Sequence, residues 1–500
     1  MFISQYRWGK RISLSLGLAI AFGLFLLAIL IFPSASRAKL EPSQVKQSSK
    51  KGRRPLFRPG EVIVRYKNES MAVHRTGMQR ITARDGRLLS MKVEDFGGSE
   101  LVPGLRLARV TEGDTLKAVA ALRQQPDVLY AEPNYIMRAT VNPNDTHFAA
   151  NRQQNMLTIG APTVWNTNTG SASVVVGVID QGIDITHQDL QANIWTNPAP
   201  NSIPGFTGDL HGYNFVNNNG TVFSNTDGET HASHVAGIIG AVGNNNLGIA
   251  GVNWTVRLMS LKFLDDEGFG DTVNAIRACT YAKNMRNLWE TSAHAQGANI
   301  RVLNASFGGA GFTQAFLDAI NQLNTSGILF VAAAGNTTDD GTREPDNDLV
   351  PHYPSNFNAP NVISVGAVDQ ADALATSFSH FGATTVDLAA PGDTILSTTP
   401  HCANPGPFPK LCQPSFSDQS GDTYTFFTGT SMSTPHVSGA AALLWAQNPN
   451  LTPAQVKSLL LVNGDVRPTL VDKTLTGRRL NIANSFQALA ENDTIAPGAV

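Results

Sequence analysis

Val174-Val175-Val176-Gly177-Val178-Ile179-Asp180-Gln181-Gly182 is the stretch that decides the fold. From Val174 to Ile179 every position carries an apolar side chain or none, so neither face of the segment suits water. A strand apolar on both faces belongs to a parallel sheet covered by helices on both sides. Comparable runs recur at 256–262, 301–303, 328–333 and 362–368, separated by glycine-rich turns. Between them, helical patterning falls on 231–241, 271–283, 313–324 and 431–447. The alternation predicts an α/β fold whose working groups sit at the carboxyl edge of the sheet, where strands end and helices begin. Asp180 closes the first strand, and Gly182 permits the turn that must follow.

Working outward, the 500 residues, 42% of them apolar, suffice for one large domain of about 300 residues with smaller units beside it. We place the α/β domain at 141–490. Ahead of it, 56–140 has a different texture. Residues 61–66 and 105–110 alternate like strands, and 115–124 sets Leu116, Val119, Ala120 and Leu122 on a helical face, which predicts a small α+β unit. Residues 39–55 are polar and basic without periodicity and read as a flexible spacer. In 1–38, Arg7, Lys10 and Arg11 precede an apolar run and then Pro33, Ser34, Ala35 and Ser36, the architecture of a signal peptide. The run is also long enough to serve as an N-terminal membrane anchor. Either reading puts the remainder outside the cytoplasm, in a secreted or extracellular setting. Residues 491–500 read as a linker.

The net charge of -2 conceals a split. Residues 1–140 carry 23 Lys and Arg against 11 Asp and Glu, whereas 141–500 carry 14 against 28. No basic run interleaved with aromatics follows the first 60 residues, which argues against a nucleic-acid partner and for attraction between two parts of one chain. Cys402 and Cys412 flank a proline-rich loop and suit a short disulfide in an oxidising compartment. Cys279 falls in a helical pattern and reads as a buried apolar thiol.

Three predicted edge positions carry an acid, a base and a nucleophile. Asp180 would stand just past the sheet, able to hold an imidazole in one tautomer. His231 opens His231-Ala232-Ser233-His234-Val235-Ala236-Gly237, whose small residues let a helix pack deeply and present its first imidazole as a proton acceptor. His231 and His234 stand three apart with no glutamate between them, which is not the pattern of a zinc-binding helix; His234 is expected to pack or hydrogen-bond. Ser431 lies in Gly429-Thr430-Ser431-Met432-Ser433-Thr434-Pro435-His436, at the start of an alanine-rich helix whose N–H groups and dipole would favour a developing oxyanion. Alone, such a serine reads as an N-cap. Its neighbours change that reading.

Val178-Ile179-Asp180-Gln181-Gly182-Ile183-Asp184, the His231 motif and the Ser431 motif resemble the three signatures of the subtilisin-like serine peptidases, the subtilase family or peptidase S8, in that family's chain order. The likeness runs from about 142 to 489 and implies a subtilisin-like parallel sheet and an endopeptidase acting on polypeptides. It implies attack by Ser431 on a peptide carbonyl, His231 as general base and then acid, Asp180 as its orienter, and an acyl-enzyme between. Val331-Ala332-Ala333-Ala334-Gly335-Asn336 resembles the family's oxyanion stretch, implying Asn336 as donor and Ala333, Ala334 and Gly335 against the substrate. Asn304-Ala305-Ser306-Phe307-Gly308-Gly309 resembles the segment that pairs with an extended substrate, implying Ser306, Phe307 and Gly308.

The same resemblance implies a structural calcium. Asp189 and the loop 243–251 are similar to the family's calcium loop, with Asp189 and Asn245 as side-chain ligands and backbone carbonyls completing the sphere. Asp339-Asp340 and Asp346-Asn347-Asp348 are further candidates. The front unit resembles the inhibitory propeptide, through Pro59-Gly60-Glu61-Val62-Ile63-Val64 and Pro126-Asp127-Val128-Leu129-Tyr130-Ala131-Glu132-Pro133-Asn134-Tyr135. That implies a monomeric zymogen whose own propeptide is an intramolecular inhibitor, with self-cleavage between Ile136 and His147. Gln181 departs from the family's Ser or Thr, and His231-Ala232-Ser233-His234 from its His-Gly-Thr-His. Aligned on Tyr353-Pro354, His352 falls near the floor of the primary specificity pocket, where a small residue is usual; a loop histidine displaced by an insertion is the alternative. Two other functions are weighed against the peptidase. One is an inactive peptide-binding relative, which would not need the full set of reactive residues. The other is an esterase or lipase, against which the absence of Gly-x-Ser-x-Gly around Ser431 counts.

Overall fold

The computed structural model describes residues 57–97, 99–136, 142–224, 229–309, 311–337, 345–400, 415–417 and 423–493. The leader or anchor, the spacer, the Cys402–Cys412 loop, Asp339-Asp340 and all but the start of the closing linker lie outside the described residues.

The strand predicted at 174–179 extends over Gly170–Asp180 and sits inside a nine-stranded sheet. The order from one edge is Asp465–Val466, Arg478–Arg479, Leu388–Pro391, Val362–Val368, Leu329–Ala333, Ile300–Ala305, Gly170–Asp180, Thr255–Lys262 and Gly212–Asn214. All neighbours run parallel except the outermost pair, Asp465–Val466 with Arg478–Arg479. Val174, Val176 and Val178 enter one core while Val175 and Ile179 enter the other, which is why the run shows no polar alternation. Gly177 is required by closeness: a Cβ there would lie 2.6 Å from Leu303 and 2.9 Å from Leu261.

Thr272–Thr291 and Gln314–Thr325 cover one face of the sheet; His231–Gly240 and Thr430–Gln447 cover the other. Thr430–Gln447 runs beneath the strands from Gly170–Asp180 to Leu388–Pro391, and its Gly439 and Ala440 to Ala442 are buried. A Cβ on Gly439 would stand 2.8 Å from Val252, so the small residues are what let this helix lie so close. The chain leaves Gly170–Asp180 toward the Thr255–Lys262 side and later builds the opposite half from Ile300–Ala305. The two carboxyl ends flanking that reversal, Asp180 and Ala305, mark a switch point, the place where open α/β sheets bind ligands.

The front unit is a five-stranded antiparallel sheet in the order Gly77–Thr82, Leu88–Glu94, Leu105–Arg109, Phe57–Tyr66, Val128–Tyr135. Glu69–Arg75 and Thr115–Leu122 cover one face over a core that includes Val62, Val64, Val93, Ala118 and Leu122. The hairpin Gly77–Thr82 to Leu88–Glu94 was not evident from sequence, because its exposed positions include Met78 and Leu88, which break the alternation. Charge attraction toward the acidic domain is not what these ion pairs display: Arg75, Arg87, Arg106, Arg109 and Lys117 pair with acids of their own unit. Among the described residues Tyr135 makes a contact across, its hydroxyl donating to Glu491 Oε1 at 2.9 Å and accepting from Gln487 Nε2 at 2.7 Å.

Candidate active site

Asp180 is fully buried, and its Oδ1 accepts the N–H of Gln181 at 2.7 Å. His231 is the first residue of its helix, and Nδ1 lies 2.9 Å from both carboxylate oxygens of Asp180. An ionised carboxylate can only accept, so Nδ1 carries the proton and Nε2 of the neutral ring is left as the acceptor. The side chain of His231 is 30% exposed, so the ring remains reachable. Burial disfavours the imidazolium, yet the charge and hydrogen bond of Asp180 outweigh it and raise the pKa above the ordinary value of 6.5.

Ser431 is the second residue of Thr430–Gln447, a helix that packs against the helix of His231. Its hydroxyl donates to the carbonyl of Ser306 at 3.1 Å rather than to His231. Among the described residues the relay predicted from sequence is joined between Asp180 and His231 and open between His231 and Ser431, as resting sites often are. Pro435 has no N–H, so the carbonyl of Ser431, four residues before it, lacks its helical donor. Ser306 Oγ fills that place at 2.9 Å, and itself accepts from Asn304 Nδ2 at 3.0 Å. Asn304 Oδ1 in turn accepts from Ser438 Oγ at 2.8 Å, so the strand end and the serine helix are stapled twice. The sequence reading missed this link; the signal was Pro435, whose position obliges some other group to serve the Ser431 carbonyl.

Asn336 follows Leu329–Ala333, and its Oδ1 accepts the N–H of Thr430 at 2.9 Å and the Thr430 hydroxyl at 3.2 Å. With its oxygen so held, the amide has one donor group, Nδ2, left over beside the start of the serine helix. Ser306 is buried, Phe307 half-buried and Gly308 exposed beyond the end of Ile300–Ala305. Ala334 and Gly335 spend their backbone groups internally: the N–H groups go to Val365 O and Thr430 Oγ1, and the carbonyls accept from Asn347 Nδ2 and His380 N. They form a wall, not a free pairing edge.

Gln181 bridges two elements: Oε1 accepts the N–H of His231 at 3.2 Å, while Nε2 donates to the carbonyls of Asp265 and Asp266 at 3.2 Å each. His234 lies 3.0 Å from the carbonyls of both Ile395 and Thr425 and stacks on Phe427; burial lowers its pKa to about 3, so it is a neutral packing residue as expected. Beneath the site Lys262, next to Asp180 in register, forms a buried ion pair with Glu229.

Asp189 and Asn245 do come together, Nδ2 of the amide donating to Asp189 Oδ1 at 2.8 Å. Asp189 Oδ2 accepts the N–H of Ile249 at 2.9 Å, and Asn245 Oδ1 accepts that of Leu247 at 2.9 Å. The oxygens are of the hard kind calcium takes, but as arranged they are met by N–H donors, and an ion requires the Asn245 amide to turn. Among the described residues no cluster of three or more His, Cys, Asp or Glu suits a metal. Asp346 accepts the N–H of Asp348 within its own loop, whereas the Asp348 carboxylate reaches another segment and accepts from the hydroxyls of Thr384 and Thr385. Cys279 is buried, and burial pushes its thiol up to about 12, which makes it inert.

A parallel α/β sheet with this acid, base and serine at its carboxyl edge is the framework of a serine peptidase. The family model described as the Subtilase family, Peptidase_S8, matches residues 171–478, and that of the fervidolysin N-terminal prodomain matches 43–134. The chain is 31% identical over 444 residues to the "Thermophilic serine proteinase" of Bacillus sp. (strain AK1), covering 87% of this chain and 90% of that protein. It is 32% identical over 305 residues to "Thermitase" of Thermoactinomyces vulgaris, covering 61% and 86%. Among solved structures, a protease from Pseudoalteromonas arctica PAMC 21717 superposes with a TM-score of 0.52 at 26% identity, over 70% of this chain and 99% of that one. The chain belongs to the subtilase family: it is a subtilisin-like serine peptidase carrying an N-terminal prodomain.

Proposed function

We propose that the chain is an exported, self-processing serine endopeptidase in which Ser431, His231 and Asp180 carry the reaction. The observation that bears most weight is the double contact of His231 Nδ1 with the Asp180 carboxylate, which fixes the tautomer a general base needs. In the reaction the Ser431 hydroxyl leaves Ser306 O, gives its proton to His231 Nε2, and attacks the peptide carbonyl. Asn336 Nδ2 and the first N–H groups of the serine helix stabilise the oxyanion; loss of one such donor costs about 10²–10³ in rate. His231 then returns the proton to the leaving amine, and water hydrolyses the acyl-enzyme by the same route in reverse.

The substrate lies extended along Ser306, Phe307 and Gly308 with Ala333, Ala334 and Gly335 opposite. The prodomain, residues 56–140 with its Tyr135 anchored on the last helix, acts as the intramolecular inhibitor until self-cleavage between Ile136 and His147. The mature enzyme is a secreted monomer. Calcium, held by Asp189, Asn245 once its amide has turned, and loop carbonyls, supplies stability and takes no part in the reaction. A fluorophosphonate probe tests the core of this reading. Modification at Ser431, abolished in Ser431→Ala and His231→Ala, supports it; an unmodified, folded mature protein would indicate a peptide-binding relative. Amino-terminal sequencing tests processing: a new terminus within 137–147, lost in Ser431→Ala, supports self-cleavage, and its retention in that variant assigns the cut to another protease.

A further inference from the structure

Ser431 and Asn336 together fix where a substrate carbonyl must lie, and so where the side chain just before the scissile bond must go: between the segments 306–308 and 333–335. Glycine stands on each wall of that slot, Gly308 on one and Gly335 on the other. Two glycines facing each other would leave a deep pocket, but the ring of His352 occupies it. A Cβ on Gly308 would fall 1.9 Å from His352 Cε1 and 2.7 Å from both ring nitrogens; one on Gly335 would fall 3.0 Å from Cγ and Cδ2. One imidazole thus touches both walls at once, and it is only 5% exposed.

The ring is also fixed in place. Gly309 and Tyr353 exchange N–H···O bonds of 2.8 Å, which ties the backbone beside His352 to the wall it abuts. His352 N donates to Asn356 Oδ1 at 3.1 Å, and its carbonyl accepts from Ser355 Oγ at 2.7 Å. Behind the ring stands the fully buried His380, centroid to centroid 5.5 Å, whose Nδ1 donates to Asn347 Oδ1 at 3.0 Å. Asn347 Nδ2 is bound to the Ala334 carbonyl, so the residue behind His352 is anchored to the same wall and leaves no room for retreat.

We propose that His352 is a specificity-determining residue that closes the primary subsite to depth, restricting cleavage to bonds that follow a small side chain such as Gly, Ala or Ser. The proposal rests on the peptidase reading above and deepens it. The test is a panel of succinyl-Ala-Ala-Pro-Xaa p-nitroanilides, Xaa being Ala, Leu, Phe, Lys or Glu, with enzyme concentration set by fluorophosphonate titration. We expect kcat/KM for Ala to exceed those for Leu and Phe by about a hundredfold, since methylene-sized misfits in such pockets are worth tens to hundreds. His352→Ala, which empties the slot, raises Leu and Phe at least about tenfold relative to Ala. Phe or Leu matching Ala in the wild type would overturn the proposal, whatever the variant does. So would an unchanged ratio in a labelled His352→Ala enzyme, or a preference for Glu, which would make the ring a charge partner instead of a plug. Mapping the cleavage sites of wild-type enzyme on denatured casein reads the same rule without any variant. Failure of the probe to label the wild type would overturn the peptidase reading itself, which separates the two failures.

Discussion

Ser306→Ala removes one hydroxyl from a place where two groups depend on it. The carbonyl of Ser431 loses the donor that stands in for the missing N–H of Pro435, and Asn304 Nδ2 loses its acceptor. Ser306 is 3% exposed, so water cannot simply take over. A buried polar group left unmet costs about 1–3 kcal/mol, and relaxation shared between the two puts the loss at about 2–4 kcal/mol. At about 2–3 °C per kcal/mol for a domain of this size, the melting temperature should fall by roughly 4–12 °C. Calorimetry is best done on the full chain in a Ser431→Ala background, which keeps the carbonyl and prevents autolysis. In the active enzyme the same change lets the first turn of the serine helix shift, and kcat should fall about tenfold with little change in KM. The decisive control is Pro435→Ala, which restores an N–H four residues after Ser431. If the reasoning holds, Ser306→Ala costs at least about 1 kcal/mol less in that background, a coupling that contacting residues show. Equal costs with and without Pro435→Ala would refute it.

On the proposed roles, the raised pKa of His231 should put the acidic limb of kcat/KM above 6.5, because only the neutral ring can accept the serine proton. Asp180→Asn removes the charge that raises it, so the limb should move to lower pH while kcat falls about 10⁴-fold; a limb that stays put would assign it to another group. The sign for stability is opposite: His231 stabilises the fold when protonated, and that contribution fades as pH rises through its raised folded pKa. Gln181→Glu sets a carboxylate against the carbonyls of Asp265 and Asp266, whereas Gln181→Ser only deletes the bridge; kcat/KM and melting temperature should both fall further in Gln181→Glu, and no loss in either variant would argue that the bridge does not matter. Lys262→Met leaves Glu229 buried without its ammonium and should destabilise by about 3–5 kcal/mol in urea unfolding, with Lys262→Met/Glu229→Gln recovering part of it; a neutral single variant would contradict the burial. Chelation by EGTA should lower the melting temperature of wild type and leave Asp189→Asn nearly unmoved; the same shift in both would move the ion to another site.

What was legible in the sequence follows from which properties a residue carries by itself. Asp180, His231 and Ser431, the residues proposed to react, could be singled out because chemistry of that kind needs particular side chains at strand and helix ends, and the apolar runs say where those ends are. Val174 to Ile179 announced a two-sided strand since burial on both faces permits no polar residue there. By contrast Gly212–Asn214 and Leu388–Pro391 are too short for periodicity to register, and they are strands because longer neighbours supply their hydrogen bonds. The calcium loop read as a ring of oxygens, yet an asparagine side chain offers N–H as readily as oxygen, and only placement reveals which faces Asp189. His352 marks the same boundary. Alignment put a histidine near the pocket floor, but whether it plugs the slot or swings aside depends on Gly308, Gly335 and His380, three residues from three segments. On the proposed reading, specificity therefore lies in an arrangement that no single stretch encodes, and the proposed reactive groups lie in stretches that nearly do.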